Sequence, residues 1–484
     1  MPANPLPRLF QEIDAALKVQ PAALDLTALT DIQWRADACT PGSVLCFQRF
    51  DDGRSDSEIF ERYLARSPFA VLVTNRVLDC FDRLDGKSIY VTAPGSWGAT
   101  LERLCDHFIP RAADDWQIVG VTGTNGKTTT VKYLEAMLTA AGRRVLSIGT
   151  LGLALNGEPQ RTTGFTSPPY IELRRILRDY RDRADILVME VSSHALDQGR
   201  VHGLRLDAAA WTNFSQDHLD YHGDEASYFA AKARILEQLA DGTALLTTSP
   251  EVTERLCAMN GPDTPVQLIA PATLDAEVLR ARPFLALDYN RANFALADAL
   301  AQRLLGQAPP AAWRALQAVD GRFECRVHGN RTIVVDFAHT PDALDNVLGA
   351  IRQAFPEAKV LTLFGCGGER DRGKRPLMGA AVCRHSDQVI LTSDNPRHED
   401  PSAIIDDTLA GMAGCPVRPV VIIDRAEAIQ SLFDALAARP PQEPWVALIA
   451  GKGHERYIDR NGRKEYFSDQ DEVERNMARL GWNR

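Results

Sequence analysis

Short apolar runs recur along the chain, each followed by a stretch whose apolar residues are spaced for one face of a helix. Ile186-Leu-Val-Met-Glu-Val191 and Arg144-Val-Leu-Ser-Ile148 are almost continuously apolar, as strands buried on both faces of a parallel sheet are. Trp116-Gln-Ile-Val119 and Asp207-Ala-Ala-Ala-Trp-Thr-Asn213 predict two more, and Val131–Leu138 predicts a helix after the first of these. A second set covers Thr332–Val335, Val360–Phe364, Gln388–Leu391, Val420–Ile423 and Trp445–Ile449, with helices predicted over Ala343–Phe355 and Ala426–Ala438. Near the start, Ser43–Phe47 and Phe69–Thr74 predict short buried strands, with turns at Pro41-Gly42 and Asp51-Asp-Gly53. Alternation of this kind predicts an α/β protein.

A chain of 484 residues exceeds one typical domain, and the pattern divides it into three. Residues 1–110 read as a small α/β N-terminal domain, 111–325 as a central domain with a P-loop ATPase-like parallel sheet, and 326–484 as a Rossmann-like C-terminal domain. The central domain is organised around Gly120-Val-Thr-Gly-Thr-Asn-Gly-Lys-Thr-Thr-Thr130. Strand, glycine-rich turn and helix in succession form a phosphate loop, whose backbone N–H groups and helix N-terminus attract phosphate oxygens. Lys127 would reach the terminal phosphates, and the Thr128 hydroxyl would sit on Mg²⁺. The spacing is unusual: Val121 stands where the first glycine is expected, and Gly120 lies one residue earlier.

Ligands of such sheets gather at the carboxyl ends of strands. Glu190, Ser192, Ser193 and His194 lie at one such end, and Asn213 to His218 follow another. Glu190 and His218 are therefore candidate ligands for a metal ion beside the nucleotide, whereas Lys232 alone reads as a helix-surface lysine. Gly365-Cys-Gly-Gly368 and Gly451-Lys-Gly453 also follow strands, as ligand loops do.

Composition removes several other functions. A net charge of −10 argues against nucleic-acid binding, and no apolar run is long enough for membrane insertion. The N-terminus lacks the basic and apolar regions of a signal peptide. Nine cysteines without a C-x-x-C pair imply reduced thiols in a cytoplasmic protein.

Several of these stretches together resemble the Mur ligases of peptidoglycan synthesis. They are Gly123–Thr128, Glu190-Val-Ser-Ser-His194, Thr212–Gly223, Ala230-Ala-Lys232, Asp336-Phe-Ala-His-Thr-Pro341, Phe364–Pro376 and Ala450-Gly-Lys-Gly-His-Glu455. Within that family the chain is most similar to the members that add the third residue of the stem peptide. The resemblance implies a monomeric, ATP-dependent amide ligase working through an acyl phosphate, with two Mg²⁺ ions. It further implies that Lys127, Glu190, His218 and Lys232 are catalytic. ATP would meet Gly123, Thr124, Asn125, Gly126, Lys127, Thr128 and Thr129, with Asn293 at the adenine and Arg322 and Asp336 reaching in from the hinge and third domain. Closure of the third domain on the second is expected from that requirement. Metal ligands would be Thr128, Glu190, His218 and Lys232, the last carbamylated by CO₂. Thr166, Ser167, Ser192, Gln198 and Arg200 would hold the peptide acceptor.

Asp394-Asn-Pro-Arg397 resembles the motif of members that select meso-diaminopimelate, with Arg397 pairing its distal carboxylate. Arg370, Asp394, Asn395, Gly451 and Glu455 complete that set, Glu455 facing the distal ammonium. The implied reaction joins meso-diaminopimelate to UDP-N-acetylmuramoyl-L-alanyl-D-glutamate. The N-terminal domain, which the resemblance makes the carrier of the uridine nucleotide, departs from the pattern. Trp34 stands where a serine is usual, within Gln33-Trp-Arg-Ala-Asp-Ala-Cys-Thr-Pro-Gly-Ser43. Leu287 also replaces a usual glycine, and Thr247–Glu251 replaces a common Asn-x-Asp-Asp. A paralogue that joins an amino acid to a different, non-UDP carboxylate is the alternative these departures favour.

Overall fold

The computed structural model describes residues 9–10, 15–19, 25–50, 53–110, 116–307 and 312–482. Most of the turn expected at 51–53 lies outside them. Strands and helices alternate as the apolar runs predict, so the α/β class holds. The chain divides into two compact units, one of residues 1–120, 143–208 and 234–243, the other of 121–142, 209–233 and 244–484.

The first unit begins with a five-stranded sheet of β1 (Ala15–Val19), β2 (Asp31–Gln33), β3 (Ser43–Phe47), β4 (Val71–Thr74) and β5 (Ser88–Thr92), in the order β1-β5-β4-β3-β2. Neighbours from β2 to β5 are parallel, and β1 is antiparallel to β5. Side chains alternate between two cores. Val44, Val71 and Val73 pack with Leu101 and Leu104 on one face, while Leu45, Leu72 and Ile89 pack with Ile59 and Leu64 on the other. β6 (Gln117–Thr122) carries the chain from this unit, whose first segment ends at Gly120, into the second. Also in the first unit are β7 (Val145–Gly149), β8 (Gly152–Leu155), β9 (Glu158–Arg161) and β10 (Ile186–Glu190). β10 runs parallel to β7, and β7, β8 and β9 form an antiparallel meander. Asn156 and Gly157 turn from β8 to β9 with φ of 53° and 86°, the conformation that Asn-Gly hairpins favour.

In the second unit β11 (Ala208–Trp211), β12 (Leu245–Thr247) and β13 (Val266–Leu268) are parallel, and the helix Lys127–Ala140 packs on the helix Asp288–Leu305. A six-stranded sheet follows, built from β14 (Glu324–His328), β15 (Arg331–Asp336), β16 (Lys359–Phe364), β17 (Gln388–Leu391), β18 (Val420–Val421) and β19 (Trp445–Ala450). Its order is β14-β15-β19-β16-β17-β18, parallel except for the edge strand β14. Val334, Val360 and Leu448 face one core, and Ile333, Leu361 and Ala447 face the other. Parallel strands end on one edge, so Asp336, Phe364, Leu391 and Ala450 all deliver their following loops to the same side. The hairpin of β20 (Tyr457–Arg460) and β21 (Arg463–Tyr466) stands apart as a two-stranded sheet.

One expectation is corrected. Cys383 and Cys415 form a disulfide, so the cysteines are not all reduced thiols. The helices Lys374–His385 and Pro401–Ala410 pack together and bring the two Cα atoms to 5.5 Å, a proximity that a separation of 32 residues does not reveal.

Behind the strand ends, Arg425 is fully buried and donates from Nε and Nη2 to the two Asp469 oxygens at 2.8 Å, and from Nη2 to the Ala450 carbonyl at 2.9 Å. A bidentate pair out of water is strongly destabilising to break, because the remaining charge is stranded. Arg425→Met is therefore expected to lower stability by about 3–5 kcal/mol. The urea midpoint checks this, and adding Asp469→Leu should recover most of the loss.

Candidate functional site

The phosphate loop follows β6 and lies in the second unit. Gly123 and Gly126 adopt φ of 139° and 81°, and each has no room for a Cβ: the first would overlap Thr212 Oγ1, the second Asn293 Oδ1. Gly126 caps the helix Lys127–Ala140, and Thr128 and Thr129 are buried in its first turn. Asn293 is buried and accepts from Thr130 Oγ1 at 3.3 Å. The loop residues and Asn293, predicted as one nucleotide set, are brought together.

Two lysines share one oxygen in this loop. Lys127 Nζ donates to the carbonyls of Gly123 at 2.8 Å and Thr124 at 2.9 Å. Lys232, on the helix Glu225–Ala233, also donates to the Gly123 carbonyl at 2.8 Å. It is not the surface lysine its helix suggested: it is buried, with the Tyr228 ring 4.6 Å from its Nζ. Burial, reinforced by the charge of Lys127, drives the Lys232 pKa well below its ordinary value. The shift favours the unprotonated amine beside the loop.

His218 takes a left-handed conformation after β11 and places Nε2 3.5 Å from Asp217 Oδ2. Burial opposes charge on Asp217, but Lys374, His218 and His339 outweigh it and hold the carboxylate far below its usual range. Lys374 Nζ donates to Asp217 Oδ1 at 3.3 Å. Two more contacts join the same loops to the six-stranded sheet's segment: Asn125 Nδ2 donates to Asp342 at 3.0 Å, and Gln216 Nε2 to Asp371 at 3.0 Å. Burial and Lys374 depress His339 to about 4, leaving a neutral imidazole. The Asp336 carboxylate accepts from the N–H groups of Phe323 and Ala338 at 2.7 Å, and the Arg322 guanidinium lies 4.3 Å over the Phe337 ring.

Beyond the ends of β16, β17 and β19 sits the predicted amino-acid set. Arg397 has φ of 53° and donates from Nη1 to the Gly368 carbonyl at 2.5 Å. Its backbone is clasped by the hairpin: Arg397 N donates to the Asp459 carbonyl at 2.9 Å, and Asn461 N donates to the Arg397 carbonyl at 2.8 Å. Arg370 lies close by, where burial and the charge of Arg397 lower its pKa. Asn395 Nδ2 donates to Glu455 Oε2 at 2.9 Å, and Gly451, at φ of 118°, leaves no slack beside Asp394. Guanidinium groups and a carboxylate thus share one loop cluster.

The first unit gathers the remaining residues. Glu190, at the end of β10, accepts from Thr150 N at 2.8 Å and from Thr150 Oγ1 at 3.1 Å. Thr150 Oγ1 lies 3.2 Å from Thr166 Oγ1. Ser167 Oγ donates to the Glu190 carbonyl at 2.8 Å and accepts from Ser192 N at 3.0 Å. Arg200 donates to the Ser167 carbonyl and to Gln198 Oε1, both at 2.9 Å. All five predicted acceptor residues therefore form one network with Glu190. Gln198 and Arg200 also border a cavity of about 820 Å³ whose walls include Trp34, Phe47, Tyr63, Phe165, Arg54 and Arg62. Trp34 meets Phe165 edge-on at 5.7 Å, and the Arg200 guanidinium lies 5.2 Å over the same ring.

Sequence reasoning did not single out Asp217, Lys374, His339 or Lys452 as site residues, although each lies inside a stretch quoted for the resemblance. Trp34 was noted only as a departure. The buried Thr128 hydroxyl of the second unit and the Glu190 carboxylate of the first are each oxygen donors of the kind Mg²⁺ takes, and that ion needs few protein ligands beside waters and phosphates. Among the described residues no group of three or more His, Cys, Asp or Glu forms a protein-only metal cage, and no helix is long and apolar enough to cross a membrane.

Residues 121–274 match the Mur ligase middle domain, and residues 321–453 match the Mur ligase, glutamate ligase domain. The UDP-N-acetylmuramoyl-L-alanyl-D-glutamate–2,6-diaminopimelate ligase of Xanthomonas oryzae pv. oryzae is 38% identical over 401 residues, 77% of this chain and 79% of that one. The ligase of the same name from Synechococcus elongatus is 36% identical over 494 residues, covering 96% of each chain. A solved structure of a ligase of that name superposes with a TM-score of 0.56 at 27% identity, over 96% of this chain and 98% of that one. MurF ligase from Thermotoga maritima, solved in complex with ADP, shares the fold with a TM-score of 0.55 at 17% identity, over 88% and 95% of the two chains. The chain belongs to the Mur ligase family and is a ligase.

Proposed function

We propose that the protein is an ATP-dependent ligase joining meso-diaminopimelate to UDP-N-acetylmuramoyl-L-alanyl-D-glutamate, a step of cytoplasmic peptidoglycan synthesis. The observation that carries this is the amino-acid cluster: Arg397 and Arg370 beside Asn395 and Glu455 suit a substrate with a carboxylate and an ammonium at its distal end. Three functional domains are proposed, 1–110 for the carrier of the acceptor, 111–325 for ATP and 326–484 for the amino acid.

In this reading the acceptor carboxylate, held by Ser167, Ser192, Gln198 and Arg200, attacks the γ-phosphate and releases ADP. The amine of diaminopimelate then adds to the acyl carbon, loses a proton, and expels phosphate from the tetrahedral intermediate. Lys127 stabilises charge on the transferring group, and Asn293, Arg322 and Asp336 hold the nucleotide. Thr128, Glu190 and His218 are the proposed Mg²⁺ donors, the ions neutralising phosphate charge when bound. The depressed pKa of Lys232 supports carbamylation: the unprotonated nitrogen bonds to the carbon of CO₂, a proton leaves, and a carbamate anion replaces the amine. A second reading, a different carboxylate acceptor, is favoured by the Trp34–Phe165 pair in the acceptor cavity.

Phosphate release with ATP, Mg²⁺ and meso-diaminopimelate should require the UDP-linked dipeptide; turnover with that acceptor absent, or none with it present, would favour the second reading. Lys232→Ala should cut turnover by about 100-fold or more, with partial rescue by added short carboxylates, because it removes a negative charge the phosphoryl step relies on. Arg397→Ala should lower kcat/KM for diaminopimelate by about 100-fold and leave that for lysine within about threefold. An unchanged ratio of the two would remove Arg397 from the recognition of the distal carboxylate.

A further inference from the structure

Lys452 is fully buried, and none of the roles above uses it. Its Nζ donates to Asp394 Oδ1 and Asn395 Oδ1 at 3.1 Å each, and to Glu455 Oε2 at 3.4 Å. Asn395 closes the ring through its 2.9 Å bond to the same Glu455 oxygen. The other face of Asn395 Oδ1 accepts from Asp459 N at 2.9 Å, in the hairpin strand whose Asp459 carbonyl holds the backbone of Arg397. One ammonium thus touches three of the six residues assigned to the amino acid and is linked through Asn395 to the clasp of a fourth.

We propose that Lys452 is the positioning residue of the amino-acid site, fixing Glu455 and Asn395 in register with Arg397 so that the ammonium and the carboxylate of the incoming amino acid are met together; this rests on the amino-acid reading given above. Lys452 has no exposed side-chain surface, while 21% of the Glu455 side chain is accessible. The lysine therefore acts through its neighbours, and Glu455 is the group that meets substrate. Two carboxylates, Asp394 and Glu455, approach here with little water to screen them, and Lys452 stands against both.

The groups facing Glu455 are Asp394 and Asn395 from the loop after β17, Arg425 from the helix Arg425–Ala437, and Lys452 and Tyr457 from its own segment. Burial and Asp394 raise the Glu455 pKa, and Lys452 and Asn395 oppose them. Removing the lysine shifts the balance toward the protonated acid, which cannot pair with an ammonium group.

The test uses the full chain, with ATP, the UDP-linked dipeptide and varied meso-diaminopimelate, alongside calorimetric titration of diaminopimelate, which needs no acceptor turnover. Lys452→Met should raise KM and Kd for diaminopimelate by about 10- to 100-fold, with KM for ATP within about twofold. The acid limb of the kcat/KM profile for diaminopimelate should move to higher pH, as expected when Glu455 loses the cation favouring its charged form. Lys452→Gln, which keeps a hydrogen-bonding end, should show the same pH displacement with a smaller rise in KM, and it carries the test if the Met variant does not fold. An equal rise in KM for ATP, or an acid limb that stays in place, would mean the lysine merely supports the fold and would overturn the proposal. Arg397→Ala run in parallel separates the two failures. If it weakens diaminopimelate binding while neither Lys452 variant does, the positioning role alone falls. If all three leave binding unchanged, the amino-acid site lies elsewhere and both readings fall.

Discussion

Two amines compete for the Gly123 carbonyl at 2.8 Å each, and one of them has no access to water. Two adjacent ammonium charges in such a place disfavour each other, and the buried one is driven toward its unprotonated form. Much of the second unit serves this arrangement. Gly123 and Gly126 let the loop pass against Thr212 and Asn293, and the Tyr228 ring lies against the Lys232 amine. Lys127 reaches the Gly123 and Thr124 carbonyls of the loop, and the Lys232 pKa is driven well below its ordinary value. The phosphate loop is thus more than an anion cradle, because the charge of Lys127 adds to burial in lowering the pKa of a residue on another helix.

The same physics recurs around the six-stranded sheet, with a different outcome. Lys374 faces Asp217, Arg425 faces Asp469, and Lys452 faces Asp394 and Glu455. Each of these cations is out of water and beside a carboxylate. Pairing replaces the lost hydration, and the geometry becomes rigid because any displacement strands a charge. All three lie at or behind the edge where parallel strands deliver their loops, where rigidity matters for aligning a substrate.

The sequence made many of the strands buried on both faces legible, although β5 and β12, equally buried, were not predicted. Ser43–Phe47 and Gln388–Leu391 were bounded to the residue because apolar runs end abruptly at polar neighbours. β9 was missed because Glu-Pro-Gln-Arg is fully exposed and carries no apolar signal, and β18 is shorter than its apolar run because only Val420 and Val421 pair at the sheet edge. The phosphate loop and the strand-end motifs were visible because glycine is required where a positive φ and a close approach coincide. Lys232 and Lys452 were not legible as buried groups. Burial of a lysine depends on what packs over it, and Gly123, bonded to Lys232, and Asp394, bonded to Lys452, come from positions that spacing alone cannot bring near. The cavity around Trp34 was invisible for the same reason: its walls come from stretches more than 100 residues apart, such as Trp34 and Phe165.

The clasp on Arg397 has an evolutionary consequence. Both of its backbone hydrogen bonds run to the β20–β21 hairpin, so the main chain there is fixed by partners that do not consult the side chain. Selection can exchange that side chain and retain the loop, provided the newcomer accepts a left-handed backbone, which asparagine and glycine do readily and β-branched residues do not. On the proposed reading of Arg397, specificity for the amino acid is in this sense modular: the socket is inherited with the hairpin, and its occupant is open to change.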